Sequence, residues 1–182
     1  MKGKNKEMIR LLQRSIEIEP NYPQAYNNLG VVLQKESQLN SAIDSFEKAI
    51  KLQPDYSEAY INLGYSLQLT GQFKKAIRTY QVVLQMDPNN IKAYNNLGII
   101  NEHQKKYEIA ISYYKKALLV DPISSEVLAN FVNSYLRGGN LDDAIASYKK
   151  SIEINPNNSN TFNNLGSSYK KKGLFEKALV EY

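Results

Sequence analysis

Apolar residues recur along this chain in steps of three and four, and the runs are separated by short polar or glycine-containing breaks. That period puts one apolar stripe on each of a series of helices. Blocks numbered from Pro23, Ser57, Ile91, Ser125 and Ser159 fall into register at a step of 34 residues. Position four holds Tyr26, Tyr60, Tyr94, Leu128 and Phe162, and position seven Leu29, Leu63, Leu97, Phe131 and Leu165. Gly30, Gly64, Gly98, Val132 and Gly166 follow at position eight. Farther on come Leu39, Phe73, Tyr107, Leu141 and Phe175, then Ala42, Ala76, Ala110, Ala144 and Ala178. Phe46, Tyr80, Tyr114, Tyr148 and Tyr182 come next, and Ala49, Val83, Ala117 and Ser151 close the series. Pro20, Pro54, Pro88, Pro122 and Pro156 keep the same step, with Pro23 the only other proline.

Within each block the stripe divides in two, with the break marked by Gly71, Gly139 and Gly173, so each block reads as a helical hairpin. The spacing predicts first helices over about 23–36, 57–70, 91–104, 125–138 and 159–172, and second helices over about 39–52, 73–86, 107–120 and 141–154. Residues 5–18 have Met8, Leu12 and Ser15 in the packing register of a second helix, so residues 1–20 read as the tail of a preceding repeat. Repeats then occupy 23–56, 57–90, 91–124, 125–158 and 159–182, and the ends cut the pattern in mid-repeat. The proline just past each second helix stops it, and nearby Asn, Asp or Ser can cap the next. A lone hairpin cannot bury these aromatics, so stability has to come from stacking.

Composition narrows the function. A chain of 182 residues with 42% hydrophobic and 23% charged residues can bury a sizeable core. No run approaches the roughly 20 apolar residues of a membrane span, and MKGKNKEMIRLLQ has no signal-peptide pattern, so an intracellular, cytoplasmic chain without membrane contact is expected. Zero cysteines and the single His103 exclude thiolate metal sites, cysteine nucleophiles and paired imidazoles. No cofactor and no enzymatic activity are expected. The net charge of +5 comes from scattered lysines, which gives no phosphate-tracking patch and no expectation of nucleic-acid binding.

The register of aromatic, Leu-Gly, small, Ala, aromatic, Ala and Pro resembles the tetratricopeptide repeat family over almost the whole chain. The resemblance implies an all-α, right-handed superhelical solenoid of stacked hairpins with the first helices on its concave surface. Repeat four departs from the motif at Leu128, Phe131 and Val132, and a valine at position eight should spread its helices. Asn101 stands where a large residue is usual, and Ser37 and Lys105 replace the turn glycine.

With positions four, eight and eleven buried, positions two, six, nine and thirteen lie about 200° away and face outward. Position six is asparagine in every block: Asn28, Asn62, Asn96, Asn130 and Asn164. Asparagine is a mediocre helix former, so helix propensity does not select it five times. An amide that both donates and accepts suits the alternating N–H and C=O groups of another backbone. The series is similar to the asparagine ladder in the repeat domains of O-linked N-acetylglucosamine transferase and the peroxisomal import receptor, and this implies an extended polypeptide as partner. Bracing between neighbouring helices is a compatible second role.

Around the series the expected groove gathers Gln24, Asn27, Val31, Lys35, Glu58, Ile61, Tyr65, Leu69, Lys92, Asn95, Ile99, Glu102, His103, Glu126, Asn133, Arg137, Asn163, Lys170 and Lys171. Its charges are mixed, with Arg137, Lys170 and Lys171 favouring acidic residues at one end. The lysine at position five that marks chaperone-tail binders in this family is replaced by Asn27, Ile61 and Asn95, so that ligand is not expected. His103 has no nucleophile, phosphate loop or metal set beside it, and Asp142 and Asp143 open a helix, where negative charge suits the dipole. The competing readings are a substrate-recruiting arm of a larger enzyme, such as an O-linked glycosyltransferase, and a self-assembling scaffold.

Apolar residues without a neighbouring hairpin, Met8 and Leu12 at one end and Phe175 and Tyr182 at the other, favour stacking on a second copy. The chain is expected to self-associate end to end. Light scattering across a concentration series checks this, and a strict monomer at high concentration would refute it.

Overall fold

A computed structural model describes residues 2–154, 156–157 and 159–181, which form α-helices and no strand. Tyr182 and the side chain of Ser151, both given packing positions by the register, lie outside the described residues. The helices are α1 (Lys2–Ile18), α2 (Pro23–Lys35), α3 (Leu39–Leu52), α4 (Ser57–Leu69), α5 (Phe73–Met86), α6 (Ile91–His103), α7 (Tyr107–Val120), α8 (Ser125–Arg137), α9 (Leu141–Ile154), α10 (Ser159–Lys171) and α11 (Phe175–Glu181). The second helices α3, α5, α7 and α9 keep the expected bounds, whereas each first helix ends one residue early. Among the described residues no helix is long and apolar enough to cross a membrane, and no group of His, Asp and Glu is placed to hold a metal.

The chain divides after Pro88 into two compact units, one holding α1–α5 and the other α6–α11. Within each unit every helix packs on its neighbour in sequence, and the first helices of successive hairpins also touch, α2 with α4 and α6 with α8. This is the stacked-hairpin architecture of the repeat.

Each unit is built around the same contact. The rings of Phe46, Tyr80 and Tyr114 are fully buried, and each lies against the glycine at position eight of its own hairpin. A Cβ at Gly30 would sit 2.6 Å from the Phe46 ring, one at Gly64 2.6 Å from Tyr80, and one at Gly98 2.3 Å from Tyr114. These are distances that no Cβ tolerates, so the ring occupies the space of the missing side chain. Burying a ring of this size contributes about 1.5–3 kcal/mol, and only glycine lets the helices come close enough to bury it fully. In repeat four Val132 is itself fully buried, and among the described residues α8 and α9 share less contact than the three preceding hairpins. Asn101, in a position otherwise held by Leu33, Leu67, Tyr135 and Tyr169, is buried and donates from Nδ2 to the Leu97 carbonyl at 2.7 Å. That bond satisfies the amide inside its own helix.

The turns inside the hairpins need a left-handed residue. Gly71, Gly139 and Gly173 supply it with φ of 74°, 83° and 80°, but Ser37 and Lys105 adopt φ of 61° and 60° in the same place. Left-handed backbone costs an L-residue about 1–2 kcal/mol, part of which glycine returns through its larger unfolded-state entropy. Ser37→Gly and Lys105→Gly are each expected to stabilise the unit that contains them by roughly 0.5–1 kcal/mol. Thermal melts should show a rise of a few degrees, and an unchanged or lowered midpoint would mean that the turn is unstrained.

Candidate functional site

The outward face of the first helices is largely where the helical period puts it. Glu58, Lys92 and Glu126 at position two, Tyr65 and Asn133 at nine, and Lys35, Leu69, His103, Arg137 and Lys171 at thirteen are exposed, while Gln24, Val31 and Ile99 are half-buried. Tyr65 and Leu69 leave 43% and 49% of their surface in solvent, a large share for apolar side chains on neighbouring turns. At position six Asn28 is exposed, and Asn62, Asn96, Asn130 and Asn164 are half-buried.

Position five behaves differently from expectation. Asn27 and Asn95 were placed in the groove, but they are 1% and 5% exposed, wedged between first helices. Asn62 Nδ2 donates to Asn27 Oδ1 at 3.0 Å, and Asn130 Nδ2 donates to Asn95 Oδ1 at 3.0 Å. Each acceptor amide is fixed from its other side, because Asn27 Nδ2 donates to the Tyr56 hydroxyl at 3.2 Å and Asn95 Nδ2 to Glu126 Oε1 at 2.8 Å. Burial, followed by the nearby Glu58 carboxylate, pushes the Tyr56 phenol upward, so it stays neutral and able to accept. The asparagine series therefore has two kinds of member. Asn62 and Asn130 spend one N–H on the preceding repeat, which leaves the second N–H and the carbonyl oxygen. The side chains of Asn28, Asn96 and Asn164 make no hydrogen bond among the described residues.

A second link joins the same pairs of repeats one turn farther along. Gln34 Nε2 donates to Ser66 Oγ at 2.8 Å in the first unit, and Ser134 Oγ donates to Glu102 Oε2 at 2.8 Å in the second. Glu102 was also expected in the groove, yet its side chain is only 13% exposed. It accepts from the Tyr114 hydroxyl at 3.3 Å and pairs with Arg137 at 3.2 Å. Burial first, and then this carboxylate, push the Tyr114 phenol far up. Arg137 keeps most of its surface in water, but its charge is already partly spent on Glu102, so it is a weaker attractor for an acidic ligand than an unpaired arginine.

The sequence carried a signal for this pairing. AYNNLG occurs at 25–30 and again at 93–98, with asparagine at both positions five and six, whereas Ile61 and Ala129 hold position five in repeats two and four. Repeats two and four share Ser-Glu openings and the turn glycine. The unit of variation is a doublet of 68 residues, and the buried asparagine belongs to the first member of each doublet. A reading confined to the 34-residue register treats all position-five residues alike and misses it.

Comparison with known proteins agrees with this architecture. The family model for the cytochrome c-type biogenesis protein H TPR domain matches residues 5–126, and a further TPR repeat model matches residues 133–173. No curated protein matches the chain in sequence. Among solved structures the chain is similar to MamA (24% identity, covering 84% of this chain and 90% of that one, TM-score 0.71). It is also similar to YrrB, described as a TPR protein with an unusual peptide-binding site (23% identity, 93% and 88% covered, TM-score 0.68). A tetratricopeptide repeat protein from Parabacteroides merdae ATCC 43184 covers 99% of this chain and 72% of its own at 19% identity and a TM-score of 0.78. Identities this low speak to the shared fold.

The two kinds of asparagine should separate in stability measurements. Asn27→Ala removes a buried amide and leaves the half-buried Asn62 N–H without its acceptor, and is expected to cost about 1–3 kcal/mol, as is Asn95→Ala. A double-mutant cycle over Asn27 and Asn62 should return a coupling of about 0.5–1.5 kcal/mol, while Asn28→Ala changes stability by less than about 0.5 kcal/mol. Denaturant unfolding measures all three, and a zero coupling would remove the brace.

Proposed function

The chain belongs to the tetratricopeptide repeat family, and from that membership and the geometry of its first helices we propose that it is an interaction module holding an extended polypeptide segment by its main chain. The observation that carries the proposal is the position-six amide, present in all five repeats and open to solvent in every case. Braces hold Asn62 and Asn130 in fixed rotamers, which lowers the entropy lost when their remaining polar atoms engage a ligand. Asn28, Asn96 and Asn164 offer whole amides. Around them Tyr65 and Ile99 supply apolar contact, and Lys92, His103, Asn133 and Arg137 supply the polar and charged contacts that select among segments. YrrB's described peptide-binding site supports a polypeptide as the ligand class. The module itself performs no chemistry in this reading, whether it stands alone or serves as a recruiting arm. The exposed Leu11 and Ile18 on α1 and Leu179 and Val180 on α11 support self-association as a second reading.

The test separates binding from bracing. In the Asn28→Ala, Asn96→Ala, Asn164→Ala triple variant the melting midpoint should hold, because alanine is the better helix former and no brace is cut. Calorimetry with a peptide selected on the wild-type chain should show affinity falling by roughly 1.5–4.5 kcal/mol, about tenfold to a thousandfold or more. The loss should be alike for peptides of different sequence, whereas changing Tyr65 or Arg137 should shift preference among them. Unchanged affinity in the triple variant would leave the series with a structural role alone.

A further inference from the structure

The second unit has an opening on the side away from the asparagines. A cavity of about 660 Å³ lies among α7, α8 and α9, with Leu118, Leu128 and Phe131 in its lining, Lys115 on one wall, and Lys150 and Asp143 on the other. This volume is in the range of ligand-sized clefts, and most of the surface is apolar.

The opening follows from the departures of repeat four. Position four is tyrosine in the first three repeats, Tyr26, Tyr60 and Tyr94, but Leu128 here, so that ring is missing, while Phe131 and Tyr135 bring rings to the lining at positions seven and eleven, where the earlier repeats carry leucine or asparagine. At position eight Val132 stands in place of glycine, and α8 and α9 share less contact. A leucine in place of tyrosine at position four and a valine in place of glycine at position eight act in the same direction. The groove also differs from ordinary exposed apolar surface in its charge. Lys115, whose ammonium lies 6.0 Å from the centre of the Tyr135 ring, and Lys150 both line it, and neither has an ion pair among the described residues. Each is followed or preceded by another exposed lysine, Lys116 and Lys149, while Asp143 is preceded by Asp142, whose carboxylate is paired with Lys172. An apolar floor rimmed by Lys115 and Lys150, with Asp143 the one carboxylate in the lining, is complementary to an apolar stripe flanked by carboxylates.

We propose that this groove docks an amphipathic helical segment of another polypeptide, with large apolar anchors at i and i+4 entering over Leu128 and Phe131 and acidic residues on both flanks meeting Lys115 and Lys150. It is a site separate from the asparagine face and takes a ligand of different shape, so two partners can be engaged at once.

The probe is a labelled synthetic amphipathic helix of about fifteen residues with Leu and Phe anchors and glutamate flanks, against a twin with lysine flanks, followed by fluorescence anisotropy on the full chain. The acidic probe is expected to bind at least about tenfold more tightly than its twin, and less tightly as salt rises. Leu128→Tyr restores the ring the other repeats carry and should weaken the acidic probe at least about tenfold while helicity and melting hold. Lys115→Glu with Lys150→Glu, both exposed positions, should reverse the order of the two probes. Asn28→Ala with Asn96→Ala should leave acidic-probe binding unchanged, which keeps this test independent of the asparagine reading. No binding, equal binding of both probes, or indifference to Leu128→Tyr would overturn the proposal. Sedimentation in which Leu128→Tyr dissolves a dimer of the chain would give the groove to a second copy and overturn it as well.

Discussion

The fold depends on a ring of the second helix occupying the space where the first helix has no side chain. Gly30, Gly64 and Gly98 set how near the two helices come, and Phe46, Tyr80 and Tyr114 fill what that nearness leaves. Once the separation is fixed, the helical period decides the rest. Positions seven and eleven turn inward, position five turns toward the neighbouring repeat, and positions two, nine and thirteen are left to solvent. Repeat four departs from this constraint, with a fully buried Val132 at the contact in place of glycine, and the groove over Leu128 lies in that repeat.

Polar contacts have a different task from the rings. A buried ring favours proximity without fixing direction, because burial is non-directional. The amide pairs Asn62 with Asn27 and Asn130 with Asn95 fix direction, since each amide has one geometry that satisfies donor and acceptor together. Gln34 with Ser66 and Glu102 with Ser134 repeat that control a turn later. Two directional contacts on one pair of helices define a register along their length. A mis-registered pair would bury Asn27 or Asn95 without partners, which is where most of the specificity arises.

Much of this was legible in the sequence, because the dominant forces act at fixed spacing. Apolar period and glycine breaks place every helix to within a few residues, and Ser37 and Lys105, the odd residues at the turn position, are the two that adopt left-handed backbone there without being glycine. What was not legible is which outward-leaning polar residue turns sideways. Helix geometry puts Asn27 and Asn28 about 100° apart, both plausible for a solvent face. Only the neighbouring helix, reaching over with Asn62, makes one of them interior. Glu102 misled for the same reason: its charge suggested exposure, but Ser134, Tyr114 and Arg137 come from two other helices to satisfy it.

The division of the asparagines into braced and open members bears on how one residue type serves stability and recognition together. If every position-six amide were spent on a brace, the face would be rigid but chemically saturated. If none were, five long polar side chains would each lose rotamer freedom on meeting a ligand. Alternating asparagine with isoleucine or alanine at position five produces a mixture, because Ile61 and Ala129 have no side-chain oxygen to accept from the next repeat. A single substitution at position five of the preceding repeat thus decides whether an amide is structural or available. Position five, which touches no ligand in this arrangement, controls the chemistry that position six can offer.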